Sequence, residues 1–355
     1  MENKCFYNMK NLLGIAIEKS ASDLQITVGV PPVIKVMGEL QLIGDKQLDQ
    51  NDTEVLVREL FSDNESFMEF KATGDRDFSL SIPKMGRFRI NAFKQRGSLA
   101  AAIRLVHTEL PNPKDLLIPD SVLQMHQINK GLIIVTGPTG SGKSTTLSCL
   151  IDLINSTRKC HILTLEEPIE FLHRHKMGIV NQREIGQDTQ SYAKALRAAL
   201  RESPDVILIG EMRDLETISI AITAAETGHL VFSTLHTLGA AKTIDRIIDV
   251  FPPTQQQQIR IQLSTVLHAV ISQQLLPSEK RGRAAAFEIM TANNAIQNLI
   301  RENKTYQIDS VIHSGKGSGM QSMDRSIYEL YKNGFITRED AFLYSMNPEV
   351  LLKYL

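Results

Sequence analysis

Residues 137–145 read GPTGSGKST. They lie between an apolar run, GLIIVT (131–136), and KSTTLSCLIDLI (143–154), which has helical spacing. Gly137, Gly142, Lys143 and Ser144 satisfy G-x-x-x-x-G-K-[ST], which demands a buried strand, a tight loop and a helix in that order. Glycines let backbone N–H groups approach an anion closely, and the helix N-terminus adds its positive dipole. Pro138, Thr139, Gly140, Ser141, Gly142, Lys143, Ser144 and Thr145 are therefore the candidate phosphate cradle. Lys143 is placed to reach the β- and γ-phosphates and Ser144 to ligate magnesium, so ATP and Mg2+ are the expected ligands.

A P-loop of this kind belongs to an α/β sheet, and the chain after it alternates accordingly. GLIIVT, CHILTL, DVILIG and HLVFSTLH are apolar runs separated by helical segments, the pattern of a mostly parallel sheet with helices on both faces. The first hundred residues read differently. A helix is expected over 9–19, a strand at 33–37, and one or two helices over 51–71 opened by Asn51 or Asp52. Strands follow at 77–82, 86–93 and 98–106, turning at 84–86 and 96–97. Pro111, Pro113 and Pro119 stiffen the stretch 108–120, read as a linker between an α+β domain (1–107) and an α/β ATPase domain with C-terminal helices (121–355).

Two further strands end in acids. SPDVILIGEMRD (203–214) carries Glu211, placed to organise magnesium and the attacking water. TLEEPIEF (164–171) carries Glu166 and Glu167, a pair suited to holding a water as general base or, equally, to starting a helix. TGHLVFSTLHT (227–237) brackets an apolar strand with His229 and His236. His236 ends the strand, on the side where such sheets bind ligands; His229 starts it and lies farther off. By residue type alone the pair serves a site or a packed structure equally well. In GRFRINAFKQRGSLAAAIRLV (86–106), Arg89, Arg96 and Arg104 are the favoured candidates to cover phosphoryl charge.

Composition narrows the partners. Lys plus Arg is 39 against 40 for Asp plus Glu, so no basic excess marks a nucleic-acid binder. The three cysteines form no C-x-x-C pair and fit a reducing cytosol. No signal peptide or run long enough to span a bilayer is present, so membrane association is expected through a partner. HRH (173–175) reads as a polar loop, the four glutamines 255–258 as a solvated helix face, and HSGKGSGMQSMD (313–324) as a loop.

GPTGSGKST, TLEEPIEF, DVILIGEMRD and TGHLVFSTLHT together resemble the Walker A, Asp box, atypical Walker B and His box of the secretion ATPases of type IV pili and type II secretion. Within that family the PilT-type retraction ATPases are the nearest in pattern, and the likeness runs over nearly the whole chain, including SASDLQITVGVPPVIKVMGEL, AVISQQL and AIQNLIRE. The resemblance implies a PAS-like N-terminal domain and a RecA-like ATPase domain in a cytoplasmic homo-hexamer. It implies Glu166 as catalytic base, Glu211 as the Walker B acid, His229 and His236 as the His box, and N-domain arginines as phosphate sensors. It further implies an inner-membrane pilus platform protein as partner, a second retraction ATPase as a further one, and a place at the inner face of the cytoplasmic membrane.

Three positions depart from that pattern. Glu167 stands where aspartate is usual, Gln297 follows Ala295-Ile296 where arginine is usual in a motif tied to retraction, and Gln25 replaces a histidine. Three other functions compete. An assembly or secretion motor of the same family usually carries a four-cysteine zinc insertion, which three cysteines cannot supply. A nucleic-acid translocase is disfavoured by the charge balance and the His box. A non-hydrolysing ring subunit is disfavoured by Lys143, Ser144, Glu166 and Glu211.

Overall fold

The computed structural model describes residues 5–106 and 110–353, apart from the side chains of residues 316 and 318. The chain divides into two compact units. One holds the described residues before Leu110 together with Pro168–Leu172; the other holds Leu110–Glu167 and the chain from His173 onward.

The first unit is a fully antiparallel sheet with helices. Its elements are α1 (Met9–Glu18), β1 (Asp23–Ile26), β2 (Val33–Val36), β3 (Glu39–Leu42), α2 (Gln50–Arg58), α3 (Asn64–Thr73), β4 (Asp75–Ile82), β5 (Gly86–Gln95) and β6 (Ser98–Val106). The strand order is β3-β2-β1-β6-β5-β4. Asp49, rather than Asn51 or Asp52, caps α2: its carboxylate accepts from Asp52 N–H while Asp52 returns a bond to Asp49 N–H, a reciprocal capping box. Asp63 caps α3 and Gly74 ends it in the left-handed conformation, so the 51–71 segment is two helices. Leu12, Leu13, Leu56, Phe70, Phe88 and Ile103 lie in one core against this sheet.

The second unit is doubly wound. It comprises α4 (Asp120–Leu123), β7 (Gly131–Thr136), α5 (Lys143–Thr157), β8 (His161–Glu166), β9 (Ile179–Glu184), α6 (Tyr192–Ala199), β10 (Val206–Ile209), α7 (Leu215–Glu226), β11 (Leu230–Leu235), α8 (Ala240–Asp249), α9 (Pro253–Val266), β12 (Leu267–Ser278) and β13 (Gly282–Thr291). Five helices close it: α10 (Asn294–Arg301), α11 (Ile308–Ser314), α12 (Met323–Lys332), α13 (Arg338–Tyr344) and α14 (Pro348–Leu352).

Its sheet runs β13-β12-β7-β11-β10-β8-β9, parallel except for the β12–β13 pair. Every residue of β7, β10 and β11 is buried, the signature of strands covered on both faces. Alternate residues serve separate cores: Leu132, Ile134 and Ile207 pack on one side with α6–α10, while Ile133, Val135 and Leu208 pack on the other with α5.

One loop expectation is corrected here. Residues 313–324 are largely helical, with Met320 and Met323 buried at 3% and 1% exposure. Residues 173–175 do form a loop, with Arg174 and His175 exposed; His173 is half-buried, and its pKa falls to about 4 because burial disfavours the imidazolium. The glutamines 255–258 do lie on α9, mostly exposed.

Candidate functional site

Strand order, not chain order, assembles the site. In a parallel sheet all carboxyl ends open on one edge, and neighbouring strands are about 4.8 Å apart. With the order β7-β11-β10-β8, that edge presents the P-loop, then His236, then Glu211, then Glu166. The register holds them level: Ser233 pairs with Ile134 on one side and Ile209 on the other, and Ile209 pairs with Leu165. Four motifs scattered over the sequence thus become one row.

The P-loop is shaped by β12 as much as by β7. Gly137 has φ of 142°, and a Cβ there would meet the Gln273 carbonyl oxygen at 2.2 Å. Gly142, at φ 88°, caps α5 without any side-chain hydrogen bond, so the first-turn N–H groups are left for a ligand. Pro138, Thr139 and Gly140 form the exposed crest, Ser141 is buried, and Ser144 and Thr145 are half-buried. Lys143 Nζ donates to the carbonyls of Gly137 and Pro138 at 2.9 and 3.0 Å, turned onto the loop it would serve. Ser141 Oγ is buried with no hydrogen-bond partner, an orphan donor inside an anion cradle.

Glu211 is held between the Arg213 guanidinium and the His236 ring. Arg213 Nε lies 2.7 Å from Oε1, and His236 Nε2 lies 3.3 Å from Oε2. Glu166, on the next strand, accepts from Thr164 Oγ1 at 2.6 Å and from Gln182 Nε2 at 3.1 Å, both to Oε1. Glu167 is exposed. Tyr192, at the start of α6, stands among these acids. Burial and the charges of Glu167, Glu211 and Glu166 raise its pKa, so its hydroxyl remains a donor. Its oxygen would be 2.8 Å from a Cβ on Gly210, and Glu166 Cα would be 3.4 Å away, which is why glycine precedes Glu211.

The remaining candidates lie elsewhere. His229 sits at the amino end of β11, with Nδ1 3.0 Å from Ala224 O and 3.2 Å from Thr227 Oγ1. Seven residues of strand put it roughly 20 Å from His236, so one chain does not bring the two histidines together. Arg89, Arg96 and Arg104 are all exposed in the first unit. Arg89 pairs across the sheet with Arg104, whose Nε donates to Asp23 at 2.9 Å, and Arg96 turns the β5–β6 hairpin at φ 48°.

Sequence reading missed Gln273, Gln182 and Tyr192, whose partners are distant in the chain. Beside the P-loop lies a cavity of about 570 Å³ lined by Thr145, Gln273, Leu275, Arg283, Leu116 and Leu117 among others. Among the described residues no cluster of three or more His, Cys, Asp or Glu could hold a metal. Magnesium does not require one, because it binds through one or two protein oxygens plus phosphate. The Ser144 hydroxyl and the Glu211 carboxylate are hard donors of the right kind.

Residues 10–342 match the model of the type II/IV secretion system protein family. The chain belongs to that family. It is 45% identical to the type IV pilus retractation ATPase PilT of Pseudomonas aeruginosa, over 96% of this chain and 99% of that one. It is likewise 45% identical to a twitching motility protein of Neisseria gonorrhoeae, over 97% and 92%. The crystal structure of the pilus retraction motor PilT with bound ADP superposes with a TM-score of 0.91 at 48% identity, covering 98% and 99%. The chain is thus an ATPase of the PilT type, with a mixed α/β fold and a mostly parallel sheet around its P-loop.

Proposed function

We propose that the chain is one subunit of a homo-hexameric motor that couples ATP hydrolysis to type IV pilus retraction. The observation that carries this reading is the level row of P-loop, His236, Glu211 and Glu166 along one sheet edge, in a chain alike over 96% of its length to a retraction ATPase. The phosphates lie across the α5 N-terminus, where Lys143 exchanges its two loop carbonyls for phosphate oxygens and Ser141 finds its acceptor. The nucleoside lies in the cavity bounded by Thr145, Gln273 and Leu275. Ser144 and Glu211 would hold magnesium, which when bound would neutralise phosphate charge. Glu166 accepts the proton of the attacking water. His236 and Arg213 hold Glu211 in place and sense its change of charge environment after phosphate leaves.

Arg89, Arg96 and Arg104 serve as phosphate sensors from the first unit; Arg104 first has to leave Asp23. The two units are an α+β domain of PAS type and a RecA-like domain, and their relative rotation is the working stroke. The partners are further copies of the chain, an inner-membrane platform protein and a second retraction ATPase, and the motor works at the cytoplasmic face of the inner membrane. The test is deletion of the gene in its host, with surface pili counted by electron microscopy, then complementation with wild type or Lys143→Ala. An excess of long pili, cured only by wild type, is expected; a bald surface would make the chain an assembly motor.

A further inference from the structure

We propose that Gln182 is a positioning residue for hydrolysis: its side-chain amide joins Glu166 to the backbone of His173 and sets the plane of the Glu166 carboxylate. The inference rests on Glu166 being the base. Gln182 lies on β9 directly opposite Thr164 of β8, and Glu166 follows two residues later on the same face. Gln182 Nε2 donates to Glu166 Oε1 at 3.1 Å, and Gln182 Oε1 accepts from His173 N–H at 2.8 Å.

The two contacts fix each other. A backbone N–H can only donate, so the amide oxygen must face His173. A carboxylate can only accept, so the amide nitrogen must face Glu166. A flipped amide would set donor against donor and acceptor against acceptor. With Thr164 Oγ1 at 2.6 Å on the same oxygen, Oε1 of Glu166 is anchored by two donors from two strands.

The place of the anchor gives it meaning. Between Glu166 and His173 the chain leaves the second unit: Pro168–Leu172 cluster with the first. Gln182 therefore ties together the two roots of that excursion, one through a side chain and one through the backbone. A displacement of the excursion moves His173 and, through Gln182, reorients the base.

The groups around Glu166 bear on the pH readout. Glu184 pairs with it across β8–β9, Glu167 adjoins it in sequence, and Glu211 and Tyr192 approach from β10 and α6, while His173 is half-buried and neutral at pH 7. These stay in place when Gln182 is changed, so a shift in the profile reports the lost donor. A hydrogen bond to the ionised carboxylate favours ionisation, so its loss moves the acidic limb of the kcat profile to higher pH.

Two variants separate this role from a merely structural one. Gln182→Glu keeps an acceptor for His173 N–H but sets an acceptor against Glu166. Gln182→Met fills the same space with neither bond. The experiment measures steady-state ATP hydrolysis from pH 5.5 to 9, the affinity for a fluorescent ADP analogue, and Tm, with Glu166→Gln in parallel. Expected in both Gln182 variants are KM and ADP affinity within about twofold of wild type and kcat lower by roughly tenfold or more, with the acidic limb displaced upward. If Glu166→Gln is inactive while Gln182→Glu and Gln182→Met keep wild-type kcat and limb, the proposal is overturned and Glu166 still stands as base. If Glu166→Gln hydrolyses normally, the base assignment falls and the inference falls with it.

Discussion

His236 Nε2 stands 3.3 Å from Oε2 of Glu211 across the carboxyl ends of adjacent strands. A carboxylate can only accept, so a hydrogen bond here needs the proton on Nε2, which fits the proposed role of His236 as a reporter on Glu211. Arg213 holds the other oxygen at 2.7 Å, so Glu211 keeps one cationic partner when the histidine is removed. His236→Ala is expected to leave nucleotide affinity within about twofold and lower kcat by about tenfold. His229→Ala, at the opposite end of β11, should leave nucleotide affinity unchanged. Fluorescent-nucleotide titration and phosphate-release assays measure both. An unaltered kcat in His236→Ala would remove this histidine from the machinery.

Gly137 and Gly140 of the P-loop should respond unequally. An alanine Cβ at Gly140 meets nothing within 4 Å, so only its left-handed φ of 79° resists substitution. That costs on the order of 1–2 kcal/mol. At Gly137 the same Cβ runs into the Gln273 backbone at 2.2 Å, and the backbone of β12 cannot yield. Gly137→Ala is therefore expected to abolish nucleotide binding and lower Tm, whereas Gly140→Ala still binds. Equal effects would mean that β12 does not brace the loop.

Glu288 makes stability depend on pH. It is 8% exposed on β13, and Oε1 accepts Ala240 N–H at 2.8 Å, at the start of the helix that follows the His box. Burial, with Asp309 and Asp324 nearby, pushes its pKa from 4.5 up to about 7; Lys242 and His313 line the same 310 Å³ cavity. A carboxyl that binds its proton more tightly folded than unfolded favours folding at low pH. That advantage is full below about 4.5 and is lost as pH climbs through 7, by roughly 3 kcal/mol in all. Glu288→Gln keeps the acceptor without the charge. Thermal melts of both proteins at pH 5 and pH 8 should show the variant gaining several degrees on wild type at pH 8 only. A difference independent of pH would show that Glu288 does not titrate in this range.

What could be read from the residues and what could not divide along contact range. The P-loop was legible because its requirements are local: a buried strand, glycines at positive φ and a helix start within about fifteen residues. The β/α alternation was legible because β7, β10 and β11 are apolar throughout. Glu166 and Glu211 announced themselves as acids at strand ends. Their adjacency did not, because it depends on β10 and β11 inserting between β7 and β8. Gln273 reaches Thr146 over 127 positions and Gln182 reaches Glu166 over 16, and a lone glutamine in a strand carries no signal of either. The partial burial of His173 within the polar loop 173–175 likewise left no mark in the sequence.

Glu166 and Glu167 are adjacent acids, and only one is built into the site. Glu166 ends β8 with two donors on Oε1, whereas Glu167 is exposed beyond the strand. A base must be held at a fixed angle to its water, so Glu166→Gln should bind ATP with wild-type affinity and hydrolyse it at least about a hundredfold more slowly. Glu167→Gln removes a charge near Tyr192 but no anchored group, and a loss of no more than about threefold is expected. Single-turnover hydrolysis with enzyme in excess measures the chemical step without product release. If Glu167→Gln proves the slower of the two, the base is the exposed acid. The anchoring of Glu166 by Thr164 and Gln182 would then be structural.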